Sequence, residues 1–120
     1  MNHALVDALD SWFSAYDNGD VEGVISLHTA DASLFGNGAP GVNGQQAIRA
    51  TVQGMLDSGL KHISHEVAEA DAREDMGYLL ASMSLETPET GKISAKVVDV
   101  LMRQPDGTWK FHATCWNLDS

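Results

Sequence analysis

The sequence predicts an α+β fold in which three N-terminal helices cover one face of a curved antiparallel sheet. Three observations carry this. Helical spacing of apolar residues is confined to the first half of the chain, everything after Gly59 alternates or is rich in β-formers, and turn signals divide that second half into four runs.

The first helix is read from Leu5, Leu9, Trp12 and Tyr16, flanked by Val6 and Phe13, with Asp7, Asp10, Ser14 and Asp17 on the other side. Asn18-Gly19 stops it, and Asp20 caps a shorter helix whose apolar face is Val21, Val24, Ile25 and His28. A short strand around Ala32 to Phe35 runs into the Gly/Pro-dense loop Gly36 to Gly41. Asn43 with Gln46 resembles a capping box for a third helix carrying Ile48, Val52 and Met55 and ending near Ser58-Gly59. Strands follow at Ile63 to Ala70, Tyr78 to Glu86, Ile93 to Arg103 and Thr108 to Leu118. Turns at Arg73 to Asp75, Thr87 to Gly91 and Pro105 to Gly107 separate them.

A chain of 120 residues with 43% hydrophobic and 20% charged residues is expected to form one domain, 1–120, with a real core. Seventeen acidic against seven basic residues give a net charge of -10, which disfavours nucleic acid and anionic lipid as partners. The N-terminal stretch has neither a basic flank nor a long apolar run, so no signal peptide or membrane span is expected and the location is read as cytoplasmic. Cys115 is the only cysteine, which suits a reducing compartment. No phosphate loop, nucleophile signature or cofactor motif is present, and no cofactor is expected. His62 and His65, three apart on a strand, are expected to point to opposite faces, so no metal site is expected either.

Between Ile93 and Met102 both faces of the strand are apolar, since Ile93, Ala95, Val97 and Leu101 alternate with Val98, Val100 and Met102. Helices cover only one side, so a homodimer through the outer sheet face is expected. The Pro105 to Gly107 turn allows two registers. A loop from Gln104 to Gly107 pairs Arg103 with Thr108 and sets Asp99 opposite His112; a three-residue loop with a glycine bulge sets Asp99 opposite Ala113.

The order of elements, together with Ala15-Tyr16-Asp17-Asn18-Gly19-Asp20, Leu27 to Leu34, Gly44 to Arg49, Asp106 to Phe111 and Trp116-Asn117, resembles the nuclear transport factor 2-like (NTF2-like) superfamily. Its SnoaL-like and ketosteroid isomerase-like branches are the nearest in pattern. The resemblance implies a cone-shaped, cystatin-like α+β barrel around an internal pocket for a small hydrophobic organic molecule. It implies that Asp99 falls where ketosteroid isomerase-like proteins carry a protonated pocket carboxyl that hydrogen-bonds an oxyanion. It also favours the first register and an inward His112. Gly36 stands where that family has a proton-shuttling carboxylate, and Trp12 where it has a helix-one tyrosine.

Asp99 lies among Val97, Val98, Val100 and Leu101, and an unpaired carboxylate there would be strongly disfavoured. It must be protonated, paired or exposed. Alternation puts His112, Thr114 and Trp116 on one face and Phe111, Ala113 and Cys115 on the other; hydrophobicity alone sends the second set inward, whereas the resemblance favours the first. Asp99 and His112 are the expected catalytic acid-base pair, and Trp12, Tyr16, His28, Phe35, Met55, Met83, Thr114 and Trp116 the expected pocket lining. The chemistry so implied is isomerisation, cyclisation or dehydration of a carbonyl compound. The alternative is a non-catalytic ligand-binding or dimerisation module.

Overall fold

A computed structural model describes residues 1–119. Helix α1 (His3–Asp17) is capped by Asn2, whose side chain accepts from the Leu5 amide at 3.2 Å, and it buries Leu5, Leu9, Phe13 and Tyr16 on one stripe. Helix α2 (Val21–Ile25) starts on Asp20, whose carboxylate accepts from the Gly23 amide at 2.9 Å. Strand β1 (His28–Phe35) begins earlier than the sequence suggests and takes His28 out of the helix. A two-residue strand β2 (Val42–Asn43) precedes helix α3 (Gln45–Asp57). The expected capping box does not form: Gly44 occupies the cap position with no side-chain bond, and the Asn43 amide instead donates to the Asp31 and Ala32 carbonyls and to Ser33. Asn43 is drawn away because it sits in a strand paired with β1.

Four long strands follow: β3 (Lys61–Arg73), β4 (Met76–Thr87), β5 (Gly91–Arg103) and β6 (Trp109–Leu118). The sheet order is β2-β1-β6-β5-β4-β3. All neighbours are antiparallel except β1 and β6, which run parallel. The expected three helices on a curved sheet are present, and the sheet is unclosed, with one parallel pair in an otherwise antiparallel order. β1 and β6 come from opposite ends of the chain, so no hairpin forces them to run in opposite directions.

Two β-bulges decide which way the histidines face. At the β5–β6 turn the Gln104 amide donates to Thr108 and Gly107 takes φ +88°, the glycine-bulge loop, so Arg103 pairs with Trp109 and Leu101 with Phe111. The register then slips once more, so that Val100 pairs with Ala113 and Asp99 with Thr114. His112 is the extra residue. On β3 a second slip lies between His62, opposite Leu85, and Ser64, opposite Ser84, which brings His65 opposite Met83. Leu85 and Met83 both face the core, so His62 and His65 share the inner face and the expected opposition of the two is corrected.

The interior holds two apolar clusters. One lies between α1 and the inner face of β3 to β6, around Leu5, Leu9, Phe13, Leu79, Leu101 and Phe111. Gly77 is part of it: a Cβ there would stand 2.9 Å from Leu5, so glycine lets the helix close on β4. The other joins the end of α1 to α2, α3 and β1, around Tyr16, Val24, Ile48 and Val52. Trp12 and Trp116 pack against both clusters and mark the seam between them. No helix is long and apolar enough to cross a membrane.

Candidate functional site

A cavity of about 60 Å³ opens at that seam, several times the ~10–15 Å³ needed for one water. Helix α1 supplies Leu9, Trp12, Phe13 and Tyr16; α3 supplies Met55; the strands supply Leu34, Met83, Leu85, Val97 and Phe111, with Asp99, Thr114, Trp116 and His62 as polar or amphipathic members. Alternation along β5 and β6 places Val97, Asp99 and Leu101 on the inner face with Trp116, Thr114 and Phe111 as their partners. The bulge at His112 lets Phe111 and Thr114 both point inward, combining the two faces that strict alternation kept apart.

Asp99 is 2% exposed, and one of its carboxyl oxygens accepts from the Thr114 hydroxyl at 2.5 Å. No side-chain polar atom among the described residues is fully buried without a partner, so the second oxygen, which has none among those residues, opens on the cavity. Burial raises the carboxyl pKa to about 7, and the Thr114 bond opposes that rise. Half or more of the molecules therefore carry a neutral, proton-donating acid at or below neutral pH.

The aromatic wall is held by its own hydrogen bonds. Tyr16 donates to the Leu60 carbonyl at 2.6 Å, and burial raises its pKa to about 12, so it stays a neutral phenol. Trp12 lies parallel to it, with centroids 5.6 Å apart at 11°. The Trp12 indole N–H donates to Nε2 of His28 at 3.4 Å, which places the His28 proton on Nδ1, donating to the Val24 carbonyl at 3.0 Å. Burial lowers the His28 pKa, so this neutral tautomer is the resting form.

His62 lines the cavity with its ring stacked 4.0 Å from Phe13, and both of its nitrogens are engaged. Nδ1 meets the Asp17 carboxylate at 3.1 Å, and Nε2 meets Nδ1 of His65 at 2.9 Å. His65 reaches Asp10 through Nε2 at 2.7 Å. This cluster escapes sequence reasoning because the bulge that creates it has no glycine or proline to announce it. The i, i+3, i+7 placement of Asp10, Phe13 and Asp17 on one helix face was the available signal. No group of acidic, histidine or cysteine side chains among the described residues is arranged to hold a metal ion.

Of the expected lining residues, Trp12, Tyr16, Met55, Met83, Thr114 and Trp116 are at the cavity with Asp99. Three expectations are corrected. His112 is not beside Asp99: it bonds Thr29 on β1 at 2.8 Å and lies 3.8 Å from the exposed Asp31, because the bulge turns it away. His28 is buried behind the wall, against Trp12 and Phe111, because β1 starts at that residue. Phe35 is 55% exposed and covers Gly41, since it follows the inward Leu34 on the strand.

The same architecture occurs widely among solved structures. A ketosteroid isomerase-like protein from Erwinia carotovora atroseptica matches with a TM-score of 0.86 at 18% identity, over 98% of this chain and 95% of that one. A protein of unknown function with a cystatin-like fold from Nostoc punctiforme gives 0.81 at 20% identity, over 96% and 88%. An NTF2-like protein with a cystatin-like fold from Novosphingobium aromaticivorans gives 0.79 at 17% identity, over 98% and 81%. At these identities the likeness shows the fold alone. No curated protein matches the chain. The model of the SnoaL-like domain matches residues 9–112, and with that span covering all but the chain ends, the chain belongs to the SnoaL-like family of the NTF2-like superfamily.

Proposed function

We propose that the cavity binds a small, neutral, largely apolar carbonyl compound and that Asp99 acts on its oxygen as a proton donor. The carrying observation is a carboxyl held at a pKa of about 7 by burial, with one oxygen fixed by Thr114 and the other open to an apolar space. A protonated carboxyl there gives its proton to the carbonyl oxygen as water takes a neighbouring C–H proton, forming a neutral enol; return of the O–H proton to Asp99 as water reprotonates carbon completes the cycle. The volume of about 60 Å³ favours one short chain or a single small ring over a polycyclic body.

The test uses 3-cyclohexenone as a probe, following its conversion to the conjugated isomer by absorbance and exchange of its α-hydrogens by NMR. Turnover lost in Asp99→Asn, with binding retained, supports the reading; equal rates in both proteins overturn it. A second reading, a capture module without turnover, has its own observation. Both nitrogens of His62 are spent on Asp17 and His65, leaving Asp99 as the one cavity acid with an open oxygen among the described residues. Binding without exchange in either protein identifies that case. We also propose a homodimer through the outer face of β4 to β6.

A further inference from the structure

Asp10, Phe13 and Asp17 stand at i, i+3 and i+7 on α1, so the two carboxylates bracket the phenyl ring along one helix face. Opposite them the bulged start of β3 brings His62 and His65 together over the same ring, with centroids 4.0 and 4.7 Å from Phe13. The result is a continuous chain, Asp17–His62–His65–Asp10, with links of 3.1, 2.9 and 2.7 Å. Its ends lie in water, with the carboxylate side chains 46% and 58% exposed, while the imidazoles are 8% and 15% exposed.

The proton count of this chain is fixed by its geometry. A carboxylate only accepts, so His62 Nδ1 and His65 Nε2 must each carry a proton for the outer links to be hydrogen bonds. The central link between His62 Nε2 and His65 Nδ1 needs one proton, not two. Three protons on four nitrogens satisfy every link, and the imidazole pair then holds a single positive charge between two negative ones. A fourth proton sets N–H against N–H at 2.9 Å, which only separation relieves. The titratable groups facing the pair are Asp10 and Asp17 from α1; β4 brings the apolar Leu85 and Met83 opposite, and the strand neighbours are Lys61 and Glu66.

We propose that this chain is a proton-operated clasp on the cavity wall, closed with one proton shared between His62 and His65 and opened by a second. Phe13 and His62 both line the cavity, so opening loosens α1 from β3 at the cavity itself. The clasp involves neither Asp99 nor any ligand, so it stands or falls apart from the reaction proposed above.

The test is NMR on the ¹⁵N-labelled protein from about pH 5 to about pH 8, the interval in which imidazole ordinarily changes charge. A scalar coupling through the hydrogen bond between His62 Nε2 and His65 Nδ1 is expected in the closed form. It should vanish on acidification as the protection of the Leu9–Tyr16 amides, taken relative to the intrinsic exchange rate at each pH, falls by about five- to tenfold, the effect of losing one hydrogen bond, while β5 is unaffected. No coupling at any pH, or its loss without lower protection in α1, overturns the proposal. In His65→Gln, whose amide can still bond His62, the acid-induced loss of protection should disappear; its persistence would assign the effect to another group and likewise overturn the clasp.

Discussion

Asp99 is destabilising as an anion, and that sets how the protein responds to pH. With the folded pKa raised to about 7 and an unfolded value near 3.9, the native state keeps a proton that the unfolded chain has lost between these limits. Stability conferred by the neutral form is full below about pH 4, falls as pH rises, and levels off above about pH 7; the total is about 4 kcal/mol. Asp99→Asn should remove this slope and leave the variant the more stable protein above neutrality, as read from denaturant unfolding at several pH values. Thr114→Val should push the Asp99 titration higher still, because the hydroxyl bond favours the carboxylate. That shift is measurable by carboxyl ¹³C NMR. Asp99 was legible in the sequence because a lone acid in Val97-Val98-Asp99-Val100-Leu101 has few tolerable states. His112 was not, because its orientation depends on a count of residues along a ladder and not on its own neighbours.

Elements were legible where periodicity is long, as in α1, α3 and the four long strands, and illegible where the ladder gains a residue. Both misread histidine groups follow from such insertions, at His112 on β6 and between His62 and Ser64 on β3. A bulge reverses every inward-facing assignment beyond it, so one unseen residue on β6 moved His112 out and another on β3 brought His62 and His65 together. The two tryptophans at the seam separate wall from framework. Trp12 is tied to His28, stacked on Tyr16 and edge-on to Phe13, whereas Trp116 lines the cavity with no such ties among the described residues. Trp12→Ala is expected to cost about 3–5 kcal/mol of stability, the range for a large core deletion. Trp116→Ala should cost less stability and lower the affinity for a cavity ligand by about tenfold or more. Thermal unfolding with and without 3-cyclohexenone measures both, and equal losses of stability would remove the distinction.

At the scale of the whole molecule, one sheet face packs on helices while the other bears an apolar patch without charge at its centre. The register places Val98 between Leu80 and Cys115, and Val100 between Tyr78 and Ala113, so residues of β4, β5 and β6 form one contiguous surface. Val98 is 47% and Tyr78 37% exposed, an unusual state for such residues in the middle of a strand. Two copies meeting through this patch, as proposed above, would bury it on both sides by a self-complementary contact. Each copy carries a formal charge of -10, so association also brings two acidic bodies together, and added salt should tighten the dimer by screening that repulsion. Val98→Lys places a charge at the centre of the patch twice in every interface. Because the position is exposed in one copy, the fold should hold, with circular dichroism and melting of the monomer unchanged. The dimer, by contrast, must desolvate two unpaired ammonium groups and should weaken by about a hundredfold or more. Sedimentation velocity at micromolar concentration decides: the unaltered protein running as a dimer and Val98→Lys as a monomer is the expected pair of results, and a monomeric unaltered protein would refute the assembly.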